Sequence, residues 1–461
     1  MKNGYSPMQA SGAIVNDGRI RPRSGTGFQA TRWANVAAGL LYLVLFSRIY
    51  ASYISPVWGY TGLYYSQLSA WERIFQMASI GAVSFFLPRQ LNKPSALIIW
   101  LLYAFVFVPT IAITFMIGGN PSRFYVTGLS ALSAAMIICC LATQGNEPDG
   151  TELGPSRHFV NLLLVSFTLT AVVLYYTFRE ILSFASIDDI YVQRFAAAEA
   201  GGGIADYLRT YFTYVFSPSM MAIALVSKRR WLIGAGIAGY ILSYAIDAAK
   251  IALVIPAAIL AFHLGLKVAR IVSTSLYTGA LAIVAGVASL FVDYSTSVRF
   301  FVDVLLLRTI TIPGQTFSQY YDLFEAKGYT YWSNTKIINL IVPPPAAFQS
   351  DPFWPVLGSI VGAEYYGNDS RMNANANLFV GEGIAAAGPI GVIVIACLLA
   401  LWLRQLDKYS SGWNRSFVVA AIIPVGMALT NIHLSTLLLS FGGFFWLIAF
   451  RFGLARPGRS V

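Results

Sequence analysis

The chain has 461 residues, of which 57% are hydrophobic and 11% are charged, and its formal net charge is +11. Soluble globular domains carry about 25% charged residues, so the composition excludes a soluble protein of this size and indicates an all-α integral membrane protein. The basic residues are divided among several short segments and form no single stripe, so we expect no nucleic-acid partner.

The N-terminal residues 1–33 are rich in Gly, Ser and Arg and contain no apolar run, so we expect a disordered cytoplasmic tail. Apolar runs long enough to cross a bilayer then predict about twelve transmembrane helices. The runs lie at 34–54, 69–87, 95–117, 124–143, 158–177, 207–227, 231–247, 251–265, 271–292, 376–403, 416–430 and 432–450. They give one block of helices at 34–292, a large helical loop at 293–375, a second block at 376–450 and a cytoplasmic tail at 451–461.

The orientation follows from the Lys and Arg residues, most of which fall in short segments that are cytoplasmic if both termini lie inside. Positively charged loops are retained in the cytoplasm. The long segment 293–375 and the segment 178–206 are therefore predicted outside. The second of these is amphipathic, which suits a helix that lies on the membrane or caps a site.

The two short runs 231–247 and 251–265 meet at Asp247 and Lys250 with no loop between them, which predicts a tight hairpin. Lys250 then lies near the outer membrane level, and a charge at the bilayer centre costs about 2.5 to 3.5 kcal/mol. Two interpretations are open: a salt bridge to Asp247 three positions earlier, or binding of an anionic lipid headgroup.

Several arginines are predicted outside the membrane, where their planar forks can bind phosphate through two hydrogen bonds. They are Arg194, Arg299, Arg308 and Arg371. Arg299 and Arg371 have acidic neighbours that can pair with them, whereas Arg308 has none at helical spacing. Arg308 is therefore the leading candidate for a phosphate ligand.

Residues 373–382, NANANLFVGE, enter the membrane from outside and carry amides and a carboxylate. Asn375 and Asn377 suit sugar hydroxyls because amides both donate and accept hydrogen bonds. Glu382 in a partly apolar setting suits acid–base chemistry, or it is a helix-start residue favoured by the helix dipole. His433, where the last two helices meet, is a candidate for proton transfer or a packing residue.

The long loop is rich in aromatic side chains, among them Tyr329, Tyr331 and Trp332. These rings can stack on sugar rings, or they can anchor the loop at the membrane interface. The three cysteines lie in predicted spans without metal spacing, and no outer cluster has the ligand density of a Mg²⁺ site. We therefore expect no cofactor, no metal and activity that survives EDTA.

Residues 305–337 and 373–391 together resemble the bacterial oligosaccharide repeat-unit polymerases, the O-antigen polymerase group of surface-polysaccharide assembly. The likeness lies in an arginine followed by Pro-Gly, a Tyr-Trp-Ser stretch, and an Asn-Ala-Asn motif that leads to an acidic residue and a glycine turn. These features are Arg308, Pro313 and Gly314; Tyr331, Trp332 and Ser333; and Glu382 with the glycines of residues 388–391. Residues 430–442 also look like the last helix of that family.

This resemblance implies a membrane-embedded glycosyltransferase of the C type (GT-C) at the periplasmic face of the bacterial inner membrane. Its substrates would be undecaprenyl-diphosphate-linked oligosaccharides, and a chain-length regulator would be a further protein partner. Arg308, Arg194 and Lys250 would hold the diphosphate, Asn375 and Asn377 would position the sugar, and Glu382 or His433 would deprotonate the acceptor.

Two other classes of function stay open at this point. A related O-antigen ligase would transfer glycan to a different acceptor, and sequence does not separate it from a polymerase. A flippase or other transporter would carry ionisable residues along a central cavity and often an inverted repeat. Here these residues cluster at one membrane face and we find no such repeat, which favours an enzyme.

Overall fold

The protein is represented by a computed structural model that describes most of the chain. The described residues are 26–117, 121–145, 153–184, 190–227, 229–268, 273–290, 307, 311–335, 337–368, 372–374 and 379–453. Within these ranges the chain is helical and forms no β-strand. The prediction of an all-α protein is confirmed for this part of the molecule.

Each of the apolar runs predicted from the sequence contains a helix. The first block comprises α1 (Thr26–Ile49), α2 (Ser55–Trp58), α3 (Ala70–Phe86), α4 (Pro94–Leu102), α5 (Val108–Ile113), α6 (Ser122–Ala142), α7 (Arg157–Phe178), α8 (Ile190–Tyr211), α9 (Ser217–Val226), α10 (Trp231–Asp247), α11 (Ile251–Val268) and α12 (Thr274–Leu290). The remainder comprises α13 (Ile312–Lys327), α14 (Ala346–Gln349), α15 (Leu357–Tyr366), α16 (Gly381–Ser410), α17 (Arg415–Leu429), α18 (Leu434–Ser440) and α19 (Gly443–Phe452).

Five helical segments of the described chain are long and apolar enough to cross a membrane. They are Ala30–Thr61, Pro94–Ile113, Ser122–Ala142, Arg157–Phe178 and Gly381–Ser410. The helices α18 and α19 meet at an angle of 52° and make a sixth segment if the bent pair is one span. Shorter apolar helices are found in α10, α11, α12 and α17. These segments indicate a membrane protein, and the number of twelve spans stays a prediction.

Local sequence signals account for several helix boundaries. Ser69 and Glu72 form a capping box at the start of α3, in which the Ser69 backbone N–H donates to Glu72 at 2.6 Å. Asn414 accepts hydrogen bonds from two backbone N–H groups at the start of α17. Helix α13 has Pro313 in its first turn and ends at Lys327, and the following Gly328 has a φ of 98°, which suits glycine.

Helix α13 is polar in sequence but buried along nearly its whole length. Gly314 lets it approach α5, because a Cβ at this position would lie 3.1 Å from the Pro109 carbonyl oxygen. The Gln315 side chain donates to the Thr61 carbonyl at 2.9 Å, and the Tyr125 hydroxyl donates to Asp322 at 2.9 Å. Because these bonds join α13 to two other segments and most of its residues are buried, this helix is a packed part of the bundle.

Candidate functional site

Helix α16 is broken near its start, between residues 386 and 389. Gly388 has φ 56° and ψ −136°, a conformation that side chains rarely adopt, and Pro389 cannot donate the backbone hydrogen bond that would continue the helix. Residues 381–386 therefore form a separate short helix that packs against the long one. A Cβ on Gly391 would lie 1.9 Å from the Gly383 carbonyl oxygen, so the contact requires glycine.

Residues 328–333, which we call the aromatic turn, lie on this break. The N–H groups of Thr330 and Tyr331 donate to the carbonyls of Ala385 (2.8 Å) and Ala386 (3.1 Å), which the break leaves without helical partners. Tyr331 and Trp332 have φ values of 50° and 59°, a region that costs about 1–3 kcal/mol for such residues. The surrounding contacts therefore hold the turn in a strained form.

Of the three aromatics proposed to contact sugars, Tyr331 is 58% exposed and Trp332 is partly buried. The Tyr329 hydroxyl donates to Glu325 at 2.6 Å, and burial together with this carboxylate raises the pKa of Tyr329. Tyr329 is thus fixed over Gly388, whereas Tyr331 has an exposed ring surface. Stacking on sugar rings stays a prediction for all three.

Replacing Gly388 with alanine is expected to destabilise the protein by about 1–3 kcal/mol, because alanine is strained at this φ. Its Cβ would also lie 2.6 Å from the Tyr329 hydroxyl oxygen. The measurement is the thermal unfolding midpoint of the purified protein. The matched control is Gly279→Ala in α12, where no neighbouring atom lies within 4 Å and helix propensity favours alanine. Equal midpoints for the two variants would contradict this account of the break.

Glu382 lies in the short helix 381–386 and is 2% exposed. Its Oε1 accepts a hydrogen bond from the Ser435 backbone N–H at 2.9 Å, and its Oε2 accepts one from the Ser435 hydroxyl. Ser435 belongs to the first turn of α18, where a helix favours negative charge. Glu382 therefore joins two helices that are far apart in the sequence and holds the start of α18.

His433 immediately precedes α18, and its ring centroid lies 6.2 Å from that of Tyr320. The Nδ1 atom is enclosed and makes no hydrogen bond to the described part of the chain. Burial lowers the pKa of His433 to about 4, so the imidazole is neutral near pH 7 and able to accept a proton. The structure thus brings both predicted proton-transfer residues, Glu382 and His433, to the same end of α18.

The junction of α10 and α11 gathers basic side chains around Asp247. Arg194 Nε donates to the Asp247 carbonyl at 3.4 Å, and Arg209 Nε lies 3.7 Å from the Asp247 carboxylate. Arg209 also pairs with Asp206 at 3.1 Å. Lys250 follows in the same turn, which confirms the predicted hairpin without a loop. We call Arg194, Arg209 and Lys250 the basic junction.

The helix that carries Arg194 and Arg209, α8, is bonded to α18. The hydroxyls of Tyr207 and Tyr211, on the helix that carries Arg209, both donate to the Leu439 carbonyl in α18. Leu439 is four residues from Ser435, or about 6 Å along a helix axis. The cations and the Glu382–His433 pair are therefore linked through one short helix.

Arg209 is a residue that the sequence prediction of the site missed, since it falls inside the predicted run 207–227. A charged residue in an apolar run and an acidic residue three positions earlier were the signals that could have identified it. Five of the residues predicted for the site lie outside the described part of the chain: Arg299, Arg308, Arg371, Asn375 and Asn377. Their roles stay predictions.

Among the described residues, no group of three or more His, Cys, Asp or Glu side chains is placed to hold a metal ion. The comparisons with known proteins give no match: no family model, no curated protein and no solved structure is similar to this chain.

Proposed function

We propose that the protein is a membrane-embedded, metal-independent glycosyltransferase that joins undecaprenyl-diphosphate-linked oligosaccharide repeat units at the periplasmic face of the bacterial inner membrane. The observation that carries the proposal is the arrangement around α18. A neutral histidine and a buried carboxylate stand at its start, and its other end is bonded to α8, the helix that carries Arg194 and Arg209. Transfer from a glycosyl diphosphate requires a base for the acceptor hydroxyl and cations that bind the leaving diphosphate.

In the proposed reaction, an acceptor hydroxyl of one lipid-linked unit gives its proton to His433. The hydroxyl oxygen forms a bond to the anomeric carbon of the donor glycan, and the bond from that carbon to the diphosphate oxygen breaks. Undecaprenyl diphosphate leaves with the electron pair. Arg308, Arg194 and Lys250 stabilise the charge that develops on it, since cations aimed at a developing anion lower the barrier.

Around this centre, Asn375 and Asn377 position sugar hydroxyls, and Tyr331 with Trp332 forms a surface for sugar rings. Glu382 holds the start of α18, and with it His433, rather than acting as the base. These separate roles for Glu382 and His433 are supported by the hydrogen bonds from Ser435, since each Glu382 carboxylate oxygen accepts one of them. These bonds occupy both carboxylate oxygens and fix the side chain against the first turn of α18.

The test uses the purified full-length protein in detergent with undecaprenyl-diphosphate-linked repeat units and no lipid A core. A ladder of longer glycans and release of undecaprenyl diphosphate are expected. A ligase would give product only after a lipid A core acceptor is added, and a transporter would form no glycosidic bond in either case. Arg308→Ala should abolish the ladder while the protein stays folded, and a normal ladder would remove the diphosphate assignment.

Replacing Arg194 with glutamine is expected to lower kcat/KM by about 10- to 100-fold, because a hydrogen bond to a charged group contributes about 1.5–3 kcal/mol. The measurement is the initial rate of glycan transfer as donor concentration is varied. The control is Arg179→Gln, a half-exposed arginine of the same predicted outer segment that pairs with Glu180 at 3.9 Å. An equal effect of both variants would mean that Arg194 supplies only general positive charge.

A further inference from the structure

A cavity of about 310 Å³ lies between α3 and α4 and the end of α6, away from the candidate site. Its lining includes three basic residues, Arg32, Arg89 and Lys93, and no acidic one among the residues that the structure describes there. We propose that this basic pocket binds the phosphate of an anionic membrane lipid. The proposal is independent of the glycosyltransferase function.

The pocket and the candidate site lie at opposite ends of α16. Glu382 is in the first turn of this helix, and Asp407 in its last turns accepts hydrogen bonds from the Ser95 backbone (3.1 Å) and hydroxyl (2.6 Å). Ser95 stands two residues from Lys93. The helix between Pro389 and Asp407 rises about 27 Å, close to the hydrocarbon thickness of about 30 Å. The pocket therefore lies at the other membrane surface, which the distribution of basic residues predicts to be cytoplasmic.

Two segments supply the cations, α1 with Arg32 and the connection between α3 and α4 with Arg89 and Lys93. The guanidinium of Arg32, in α1, lies 4.9 Å from the ring centroid of Phe85, and the Lys93 ammonium donates to the Gly145 carbonyl at 3.0 Å. Burial and the nearby charge of Arg32 both lower the pKa of Arg89. Arg32 and Arg89 therefore lie close enough for their charges to interact.

The surroundings of the pocket favour a lipid over a soluble anion. Trp33 is 61% exposed and packs edge-on against Phe85, with ring centroids 5.7 Å apart. Exposed tryptophan is typical of the headgroup level of a bilayer. Basic pockets between membrane helices on the cytoplasmic side bind anionic headgroups. Phe85 thus connects the exposed ring of Trp33 with Arg32, which lines the pocket.

Two sources of negative charge near the pocket bear on the proposal. Asp407 interacts with Lys93 through charge but is already bonded to Ser95. Glu147, Asp149 and Glu152 follow Gly145 in the sequence and lie outside the described residues. The experiment must therefore distinguish a lipid phosphate from these carboxylates as the partner of the cations.

The full-length protein is titrated with phosphatidylglycerol or phosphatidylcholine in detergent, and bound lipid is counted by native mass spectrometry. We expect one phosphatidylglycerol to bind at least tenfold more tightly than phosphatidylcholine. Arg89→Gln/Lys93→Gln should weaken this binding by about tenfold or more. The control Arg229→Gln/Arg230→Gln removes two exposed charges from the same predicted face and should have no effect.

The thermal midpoint of the wild type provides a second measurement that needs no folded variant, since phosphatidylglycerol should raise it and phosphatidylcholine should not. Equal binding of the two lipids, or unchanged binding by the pocket variant, would overturn the proposal. Displacement of the lipid by inorganic phosphate would overturn the choice of a lipid. A last outcome is that the wild type does not bind phosphatidylglycerol but the variant Glu147→Gln/Asp149→Asn/Glu152→Gln does. In that case these carboxylates pair with the cations in the wild type, and the proposal is wrong.

Discussion

Replacing His433 with alanine is expected to lower glycan transfer by about 10²- to 10⁴-fold, the range that general base catalysis contributes. The reason is the position of the imidazole at the start of α18, next to the turn that Glu382 holds, together with its neutral state near pH 7. The measurement is the single-turnover rate of transfer between lipid-linked repeat units at saturating donor. The purified variant should remain folded, because His433 makes no hydrogen bond through Nδ1 to the described chain.

The control for this variant is His158→Ala, which removes an exposed histidine in the first turn of α7. Its transfer rate should equal that of the wild type. A rate for His433→Ala within a few-fold of the wild type would exclude this residue as the base. Activity of the wild type should also be constant from about pH 5 to 8 and fall as His433 is protonated, since its pKa is about 4.

The same lowered pKa has a consequence for stability. The usual histidine pKa of 6.5 applies to the unfolded chain, and the folded value is about 4. The unfolded state therefore binds a proton at a higher pH than the folded state does. His433 contributes stability that is complete above about pH 6.5 and is lost as the pH falls toward 4. The thermal midpoint of the wild type should drop more steeply over this range than that of His433→Ala.

Replacing Glu382 with glutamine is expected to destabilise the protein by about 1.5–3 kcal/mol and to lower activity. Both carboxylate oxygens accept hydrogen bonds from Ser435, and an amide NH₂ would face one of these donors. Because the start of α18 then shifts, His433 loses its placement. The thermal midpoint and the transfer rate measure the two effects, and the exposed Glu180→Gln provides the control.

A double-mutant cycle with Ser435→Ala separates this contact from other effects. If Glu382 acts through Ser435, the double variant should be little less stable than Glu382→Gln alone, with a coupling of about 0.5–3 kcal/mol. The pH profile separates a positioning residue from a base. If Glu382 is a positioning residue, Glu382→Gln should be less active at every pH but should still lose activity near pH 4. If instead Glu382→Gln is inactive at every pH while His433→Ala remains active, Glu382 is the base.

The apolar runs were enough to predict where the helices lie, because transfer into lipid depends on the summed hydropathy of one continuous segment. The hairpin at residues 247–250 was likewise visible, since it needs only the absence of a loop. The burial of helix α13 was not visible in the sequence. This helix belongs to the predicted loop 293–375, and its burial depends on partners such as Thr61 and Tyr125, which lie far away in the sequence.

The sequence by itself determined that this is a helical membrane protein with a polar segment between two blocks of apolar helices, because composition and periodicity are local properties of the chain. Only the tertiary structure decided that Glu382 binds Ser435, 53 positions away, that the aromatic turn lies on the break at Gly388, and that Arg209 joins Arg194 at Asp247. Each of these contacts depends on how separate helices pack, and hydrogen bonds between distant segments leave no periodic signal in the sequence.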